Sequence, residues 1–370
     1  MKILAVGAGS MGKRRLRDLS HLNGAENLIL FEINADRCDQ VAALFGIRGF
    51  SDFEAALAEK PDAMTISSPP ALHGPYVNAA MDRQLHVFAE VPFVMDEDAM
   101  TEVAERARTY PKVIGISCSN RLYPPFRLTR ELLEKQAIGR PLYFEYSLGN
   151  YLPEWHPYED YRSFYAGDAR LGGAGLDMIL HEMGPIEWWL GNVASVQARL
   201  TKLSNLEING PDNHDVLLTF ESGCRGFFHH DVLERGTVGR HMRIVGELGT
   251  LEWHQNQDAI RFYDGRDNEL KSIPFSQVAD WDQAIAASRD VSKLLERQKS
   301  QSGKIPSAQT SNFTYESCYF REMQHFLDAA RGKHAYTMAT PADELRVVRI
   351  LHTVLRSSDE NRELAVSKAE

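Results

Sequence analysis

The sequence has few cysteines, no excess of basic residues and no long hydrophobic run. It contains four cysteines in 370 residues, none in a CxxC pair, which argues against a disulfide framework and against a thiolate metal site. The formal net charge of −10 argues against nucleic acid as a partner, because a phosphate backbone requires a basic surface. No apolar run approaches the length of a membrane span, and Met1–Val6 is too short for a signal-peptide core. We therefore expect a cytoplasmic protein that binds neither nucleic acid nor membrane.

The first third of the chain alternates short apolar runs with helical patterns. Strands are predicted at Lys2–Val6, Asn27–Glu32, Ala63–Ser67, His86–Ala89 and Val113–Cys118, and helices at Met11–Leu22, Ala35–Phe45, Leu72–Met81 and Asp96–Thr109. This alternation indicates βαβ units and a parallel, doubly wound sheet. In such sheets, ligands bind outside the carboxyl ends of the strands.

The remainder of the chain has a different pattern. A helix (Phe126–Lys135), a long strand (Pro141–Leu152) and a further helix (Gly172–Leu190) precede a succession of short strands from Val193 to about Phe262. Three more helices are predicted at Trp281–Gly303, Tyr315–Arg331 and Pro341–Ser357. Strands without intervening helices indicate a mostly antiparallel, open sheet. The prediction is an α/β protein with a dinucleotide-binding domain at 1–121 and a second α/β domain at 122–370.

A complete GxGxxG motif follows the first predicted strand and opens a helix. It reads Gly7-Ala8-Gly9-Ser10-Met11-Gly12, and the second strand ends at Glu32, twenty residues beyond Gly12. This context fits a dinucleotide, because glycines permit close approach of the backbone and the helix N-terminus meets the pyrophosphate. Glu32 would bind the ribose hydroxyls and repel a 2′-phosphate, which favours NAD over NADP. Arg37 lies nearby, and Lys13, Arg14 and Arg15 are expected on an exposed face of the helix.

Three further motifs extend the pattern beyond the glycines. They are Ser67-Ser68-Pro69-Pro70-Ala71-Leu72-His73, then HVFAEVPF at residues 86–93, and Asp177-Met178-Ile179-Leu180-His181. With the glycine motif, they make the chain similar to the Gfo/Idh/MocA oxidoreductases, the family of glucose–fructose oxidoreductase and inositol dehydrogenase. The resemblance extends over nearly the whole chain except for a stretch from about Asp264 to Asn312. It implies a Rossmann domain and a second domain whose open sheet forms contacts in a homodimer or homotetramer.

The resemblance also implies roles for individual residues. The cofactor would be bound by Gly7, Gly9, Ser10, Met11, Gly12, Glu32, Arg37, Ser67, Pro69, His73, Glu90 and Val91. Relatives usually have lysine after the glutamate, where Val91 stands here. Valine can neither donate a hydrogen bond to a substrate hydroxyl nor alter its acidity. Three readings stay open: Val91 fills the cofactor pocket while other groups handle the substrate, catalysis has been lost, or bound NAD supports altered chemistry.

Asp177 and His181 are the predicted catalytic residues. They are four residues apart and therefore lie on one helix face, where they could also form a purely structural pair. In the family, the histidine that matches His181 exchanges a proton with a substrate hydroxyl, a task that suits an imidazole because its pKa lies near neutrality.

An aromatic loop at Pro153–Leu171 is predicted to border the substrate. Its Trp, Tyr, His, Asp and Arg side chains suit a sugar, although the loop could also be a lid that packs on itself. The predicted substrate residues are Asn120, Arg121, Tyr151, Trp155, His156, Tyr161 and Arg162. His229, His230, His241 and Asp231 show no ligand spacing, and no metal is expected.

The sequence therefore predicts an NAD-dependent oxidoreductase that acts on a secondary hydroxyl of a sugar or cyclitol. Two alternatives remain. Bound NAD could be recycled through a ketone intermediate in an epimerisation, elimination or glycoside cleavage, or the protein could be a catalytically silent NAD-binding module.

Overall fold

The computed structural model describes residues 1–156, 159–163, 165–235, 239–302 and 313–367. The chain forms two compact units, each built from two segments. The first unit comprises residues 1–122 and 282–344, and the second comprises residues 123–281 and 345–370. Within the described residues, no helix combines the length and the apolar character needed to cross a membrane.

Two sheets organise these units. The strands are β1 (Ile3–Val6), β2 (Leu28–Phe31), β3 (Arg48–Phe50), β4 (Ala63–Ile66), β5 (His86–Ala89), β6 (Ile114–Ile116), β7 (Pro141–Gly149), β8 (Val193–Thr201), β9 (Asn213–Phe220), β10 (Arg225–Asp231), β11 (Arg240–Gly246), β12 (Gly249–His254), β13 (Ala259–Asp264), β14 (Glu269–Pro274) and β15 (Leu364–Ala365). The first six form a sheet of order β3-β2-β1-β4-β5-β6, in which every pair is parallel. The other nine form a sheet of order β14-β13-β12-β11-β7-β10-β9-β8-β15, in which only β7 and β10 pair in parallel.

The helices are α1 (Ser10–Asn23), α2 (Ala35–Phe45), α3 (Phe53–Ala58), α4 (His73–Asp82), α5 (Glu97–Ala107), α6 (Pro124–Glu134), α7 (Leu152–Trp155), α8 (Leu176–Leu190), α9 (Trp281–Ser302), α10 (Glu316–Ala330) and α11 (Pro341–Glu360). Strands β1, β2 and β4 are buried along their whole length, as expected where helices cover both faces of a parallel sheet.

The core of the first unit includes a helix from far along the chain. Met323, Phe326 and Leu327 of α10 pack in one cluster with buried side chains of β1, β2 and α1. A Cβ at Gly115 of β6 would lie 2.8 Å from the Phe326 ring, so this glycine admits the aromatic side chain. Helix α10 is therefore part of the dinucleotide-binding unit.

The nine-stranded sheet has one buried face and one open face. Tyr146, Val216, Phe228 and Met242 lie on the buried face. Alternate residues of the same strands face the other way and are part-exposed or exposed, including Leu217 and Tyr143. We call this second surface the open face.

The predicted fold class is confirmed, with local differences. Strand β3 and helix α3 were not predicted, because the three residues of β3 are largely exposed and lack an apolar pattern. Helix α8 begins at Leu176 rather than Gly172, since Gly172, Ala174 and Gly175 adopt positive φ. The segment 282–344, which the sequence analysis assigned to the second domain, packs with the first unit.

Candidate active site

The first βα turn needs two of its three glycines for its own geometry. Gly7 has φ of +91°, and a Cβ there would lie 2.7 Å from the carbonyl oxygen of Ser67. A Cβ at Gly12 would lie 2.1 Å from the carbonyl oxygen of Gly7. A Cβ at Gly9 would meet no atom within 4 Å. Gly7 and Gly12 thus allow the turn to close, whereas Gly9 borders open space.

The N-terminus of α1 faces this open space. Gly9 is its N-cap residue and provides no side-chain cap, and the first turn contains no acidic residue. The first amide groups of a helix have no acceptor within the helix, and the helix dipole adds partial positive charge there. Ser10 Oγ accepts a hydrogen bond of 2.6 Å from Arg14 Nη1, and Met11 is partly exposed beside it. These features fit a pyrophosphate.

Glu32 is fixed at the carboxyl end of β2. Its two carboxylate oxygens accept hydrogen bonds from the backbone N–H groups of Ala8 (2.9 Å) and Asn34 (3.0 Å). Arg37 is exposed, and its Nη1 lies 3.9 Å from Glu32 Oε2. The contact with Ala8 places the carboxylate at the glycine turn, where a ribose diol can be recognised and a 2′-phosphate would be repelled.

His73 lies beneath the neighbouring loops. Its Nδ1 is 2.6 Å from the carbonyl oxygen of Pro92, and its Nε2 is 2.8 Å from that of Ser68. The side chain has no exposed surface, and burial lowers its pKa. Ser67 and Pro69, by contrast, are partly exposed. His73 therefore joins the loop after β4 to the loop after β5 and would act on a cofactor through them.

Glu90, at the end of β5, forms a two-point ion pair with Arg15. Arg15 Nε donates to Oε1 at 2.6 Å and Nη2 to Oε2 at 3.1 Å. The same Nη2 donates to Glu322 Oε2 of α10 at 2.6 Å. Arg15 is only 1% exposed, so its expected place on an exposed helix face is wrong. One guanidinium group thus links α1, β5 and α10.

The two carboxylates around Arg15 have opposite pKa shifts. Burial raises the pKa of Glu322 to about 7, and the Glu90 carboxylate adds to this effect. Burial alone would also raise the pKa of Glu90, but the Arg15 guanidinium outweighs it and lowers that pKa. Glu90 is therefore ionised at neutral pH, and its charge is already matched by Arg15.

A side chain of helix α11 holds the loop that carries Val91. Val91 is partly exposed and precedes Pro92 through a cis peptide bond. Glu344 Oε1 accepts a hydrogen bond of 2.8 Å from the backbone N–H of Phe93. Burial raises the pKa of Glu344 to about 7.

Two predicted substrate residues are engaged within the first unit. Asn120 is buried, and its Oδ1 accepts a hydrogen bond of 2.6 Å from the Tyr315 hydroxyl. Arg121 Nη1 donates to the carbonyl oxygen of Met338. Both residues lie in the 3-10 helix Ser119–Leu122, after β6. A structural role accounts for these contacts.

In the second unit, α8 carries Asp177 and His181 one turn apart. Asp177 Oδ2 accepts a hydrogen bond of 3.1 Å from the Tyr165 hydroxyl. Burial raises the pKa of Asp177 to about 6, and the Tyr165 hydrogen bond opposes the rise. His181 is partly exposed. Near neutral pH, Asp177 can therefore exist in either protonation state.

Buried side chains that were not predicted position α8. Gly175 precedes the helix, and a Cβ there would lie 2.6 Å from His214 Cε1 and 2.7 Å from His230 Cε1. Burial lowers the pKa of His214 to about 4 and also lowers that of His230, so both rings are neutral. Beside His181, Glu182 Oε1 accepts a hydrogen bond of 2.7 Å from Arg240 Nη2. These contacts fix the helix against the sheet. The sequence motif does not include them, because they depend on how distant strands pair.

The aromatic loop packs on itself in its described part. Tyr151, Trp155, Tyr161 and Tyr165 surround a small apolar cluster that contains Leu152, Ala166, Leu206 and Val232. The Tyr161 hydroxyl accepts a hydrogen bond of 3.2 Å from the backbone N–H of Glu207. Pro157, Tyr158 and Phe164 of this predicted loop lie outside the described residues.

The charged loop residues have local partners. Arg162 pairs with Asp160 at 2.8 Å, and His156 Nδ1 lies 2.7 Å from Glu159 Oε1. Arg235 Nη2 donates to the Tyr151 hydroxyl, and its guanidinium lies 3.8 Å from the centre of that ring.

Two family models match this chain. Residues 1–117 match the oxidoreductase family with an NAD-binding Rossmann fold, and residues 126–252 match the GFO/IDH/MocA C-terminal domain. The chain belongs to the Gfo/Idh/MocA oxidoreductase family. The predictions of the family and of NAD as its cofactor are thereby confirmed, and the glycine turn, the α1 N-terminus and Glu32 fit that cofactor.

The chain is similar to several individual members. It is 25% identical over 225 residues to "Uncharacterized oxidoreductase YrbE" of Bacillus subtilis, a match that covers 59% of this chain and 63% of that protein, less than two thirds of its length. It is 23% identical to an inositol 2-dehydrogenase of Rubrobacter xylanophilus, covering 67% of this chain and 69% of the relative. A solved structure of levoglucosan dehydrogenase in complex with NADH superposes with a TM-score of 0.81 at 17% identity, covering 100% of both chains. At that identity the structure supports the fold alone.

Proposed function

We propose that this family member is an NAD-dependent dehydrogenase acting on a secondary hydroxyl of a sugar or cyclitol, or on the corresponding ketone. The observation that carries the proposal is the placement of Asp177 and His181 on one face of α8, in a chain whose first unit has an NAD-binding turn. The names of relatives, among them inositol 2-dehydrogenase and UDP-N-acetylglucosamine 3-dehydrogenase, support this substrate class.

His181 is the proposed proton-transfer residue. Bound NAD supplies the hydride acceptor, and the chain provides the base that takes the hydroxyl proton. Asp177, bound by the Tyr165 hydroxyl and buried, would orient the imidazole or accept a hydrogen bond from a substrate hydroxyl. The predicted substrate loop contributes Tyr151, Trp155, His156, Tyr161 and Arg162 in this proposal. Of these, Arg162 is the most exposed and the most accessible to a ligand.

A second candidate function is NAD recycling without net oxidation. Val91 favours it, because a valine cannot provide the hydrogen bond to the reacting hydroxyl that the usual lysine provides. In that case, oxidation would activate the substrate for epimerisation, elimination or glycoside cleavage, and the hydride would return. Freshly purified protein that retains NADH, detected by its near-ultraviolet absorbance, would favour recycling over both a dehydrogenase and a silent NAD-binding module.

The open face is the proposed contact surface of a cytoplasmic homodimer or homotetramer. It presents Leu217 of β9, Tyr143 of β7 and Tyr263 of β13 as exposed large side chains on one face of the sheet. Large side chains exposed on one face of a sheet are typical of the centre of an interface between protein chains.

The test is His181→Ala, assayed with a panel of sugars and cyclitols. The variant should lower kcat by roughly 10²- to 10⁴-fold. NAD affinity, measured by fluorescence titration, should be unchanged, because the nucleotide contacts lie in the first unit. The control is His352→Ala, which removes a part-exposed imidazole of α11 from the same unit and should leave kcat near that of wild type. Turnover that survives His181→Ala would contradict the assignment.

A further inference from the structure

The open face of the nine-stranded sheet brings two imidazoles and one carboxylate together. His241 of β11 lies directly opposite His254 of β12 in the antiparallel register. Glu252 is two residues before His254 and therefore on the same face of the strand. The three side chains come from two neighbouring strands, and none of them belongs to the cofactor turn or to α8.

The distances suit a shared ion better than hydrogen bonds. Glu252 Oε1 lies 3.6 Å from His241 Nε2 and 3.7 Å from His254 Nε2, beyond hydrogen-bond length. One ligand atom from each residue lies within 4.8 Å of the other two. Around a tetrahedral zinc ion with bonds of about 2.1 Å, two ligand atoms are ~3.4 Å apart. Small side-chain movements therefore bring the three atoms to coordination distance.

Arg261 orients the carboxylate. Its Nη1 donates to Glu252 Oε2 at 2.9 Å, which leaves Oε1 directed at both imidazoles. His241 Nε2 is shielded from solvent and has no hydrogen-bond partner among the described residues. A metal-ligating carboxylate held by a further hydrogen bond is the usual arrangement at metal sites.

The imidazole rings must turn to bind an ion. They are stacked with centroids 4.2 Å apart and planes 16° from parallel, so their Nε2 lone pairs do not yet converge. Within a single chain, the side chains of His241 and His254 are 29% and 43% exposed, and such rotation meets little packing resistance there. In the neutral form, each ring can offer Nε2 as a ligand.

We propose that His241, Glu252 and His254 form a binding site for a divalent transition-metal ion of the zinc class on the open face. Two imidazoles and one carboxylate favour zinc, cobalt or nickel over magnesium and calcium, which prefer all-oxygen sites. Water would complete a tetrahedral shell. The ion would join β11 to β12 and stabilise the folded sheet, since a ligand that binds only the folded state raises its stability.

The site is expected to be of moderate affinity. Arg243 and Arg261 lie near Glu145 and Glu252, so two carboxylates are already matched by two guanidinium groups. The site therefore has no excess negative charge to balance a metal ion. For this reason we expect dissociation constants in the micromolar range.

The experiment is a titration of tag-free, full-length protein with Zn²⁺, followed by calorimetry, and with Co²⁺, followed by visible absorption. Wild type should bind one ion per chain and gain thermal stability with Zn²⁺, and a large excess of Mg²⁺ should not compete. His254→Ala and His241→Ala should each weaken binding by at least ~100-fold.

The matched control is His229→Ala on strand β10 of the same sheet. His229 also lies on the open face, but its two nitrogens already contact Asp215 at 2.8 Å and Asp231 at 3.0 Å. This variant should bind Zn²⁺ like wild type. Absence of stoichiometric binding, unchanged affinity in His254→Ala, or equal loss in His229→Ala would each overturn the proposal. Circular dichroism of every variant separates loss of the ligand from loss of the fold.

Discussion

At the residue scale, the glycines of the nucleotide turn have separable roles. Gly12 is required by its own backbone surroundings, because a Cβ would meet the carbonyl oxygen of Gly7 at 2.1 Å. Gly9 has open space where its side chain would be. Gly12 is therefore required by the fold, whereas Gly9 is required by the ligand.

Substitution of each glycine by alanine should reveal this difference. Gly9→Ala should retain the wild-type melting temperature but weaken NAD binding roughly tenfold or more, since its methyl group enters the space for the pyrophosphate. Gly12→Ala should lower the free energy of unfolding by roughly 1–3 kcal/mol, because backbone atoms must move. Calorimetric unfolding and NAD titration check both. Equal losses of stability in the two variants would contradict this account.

A second prediction at the residue scale concerns Val91. Val91→Lys should lower turnover, because an added ammonium would have to lose its hydration close to the positively charged oxidised nicotinamide. Val91→Met is the neutral control, which lengthens the side chain without charge and should retain more activity. Kinetics of the two variants with the true substrate decide. A strong gain from Val91→Lys would instead indicate a decayed dehydrogenase whose lysine had been lost.

At the element scale, helices α10 and α11 hold the carboxyl ends of the first sheet. Glu322 of α10 binds Arg15 and the Ser117 hydroxyl, and Glu344 of α11 binds the backbone N–H of Phe93. Both carboxyl groups have pKa values raised by burial to about 7. Their protonation therefore affects the stability of these attachments near neutral pH.

Glu344→Gln should reduce the pH dependence of stability. Because the folded-state pKa of Glu344 is about 7 against an ordinary value of 4.5, the folded state binds more protons between these pH values. The free energy of unfolding then falls as pH rises from about 4.5 to 7, by on the order of 2–3 kcal/mol from this group. Glutamine keeps an oxygen for the Phe93 N–H but does not titrate.

The measurement is urea unfolding of wild type and Glu344→Gln at several pH values across that window. The variant should lose less stability than wild type between acidic and neutral pH. Asp359→Asn, which removes an exposed carboxylate from the other end of α11, is the control and should follow the wild-type slope more closely. Parallel curves for wild type and Glu344→Gln would show that burial does not raise this pKa.

The elements that the sequence predicted well are those defined by local patterns. The alternation of β1, β2, β4, β5 and β6 with helices, the glycine turn and the Asp177–His181 spacing all depend on neighbours within a few positions. The unpredicted features join distant positions: Arg15 and Glu322 are 307 residues apart, and His241 meets Glu252 and His254 only through the pairing of β11 with β12. A helical arginine has the same local sequence whether it is exposed or buried. Its burial is determined by a partner that no local pattern reveals.

At the scale of the whole molecule, we expect copies of the chain to associate through the open face. Leu217 is 53% exposed on β9, the third strand from one edge of the sheet. An acidic side chain at this position would have to be buried without a partner in an interface.

Leu217→Glu should therefore shift the oligomer toward monomer, as measured by light scattering after size exclusion. Leu203→Glu provides a control, because Leu203 is also exposed but lies in the loop after β8, outside the sheet. The melting temperature of Leu203→Glu should stay close to that of wild type. If both variants keep the wild-type mass, the interface lies elsewhere on the molecule.

The late position of α10 has a consequence for synthesis on the ribosome. Arg15 is made near the start of translation, and its partner Glu322 follows 307 residues later. At ordinary elongation rates of about 5–20 residues per second, that interval is roughly 15–60 s. During this interval, Arg15 of the nascent nucleotide-binding unit lacks its second carboxylate partner. One apolar face of the first sheet also lacks Phe326. This unit, although it emerges first, can reach its final state only after most of the chain has left the exit tunnel, and chaperones would meet it in that interval.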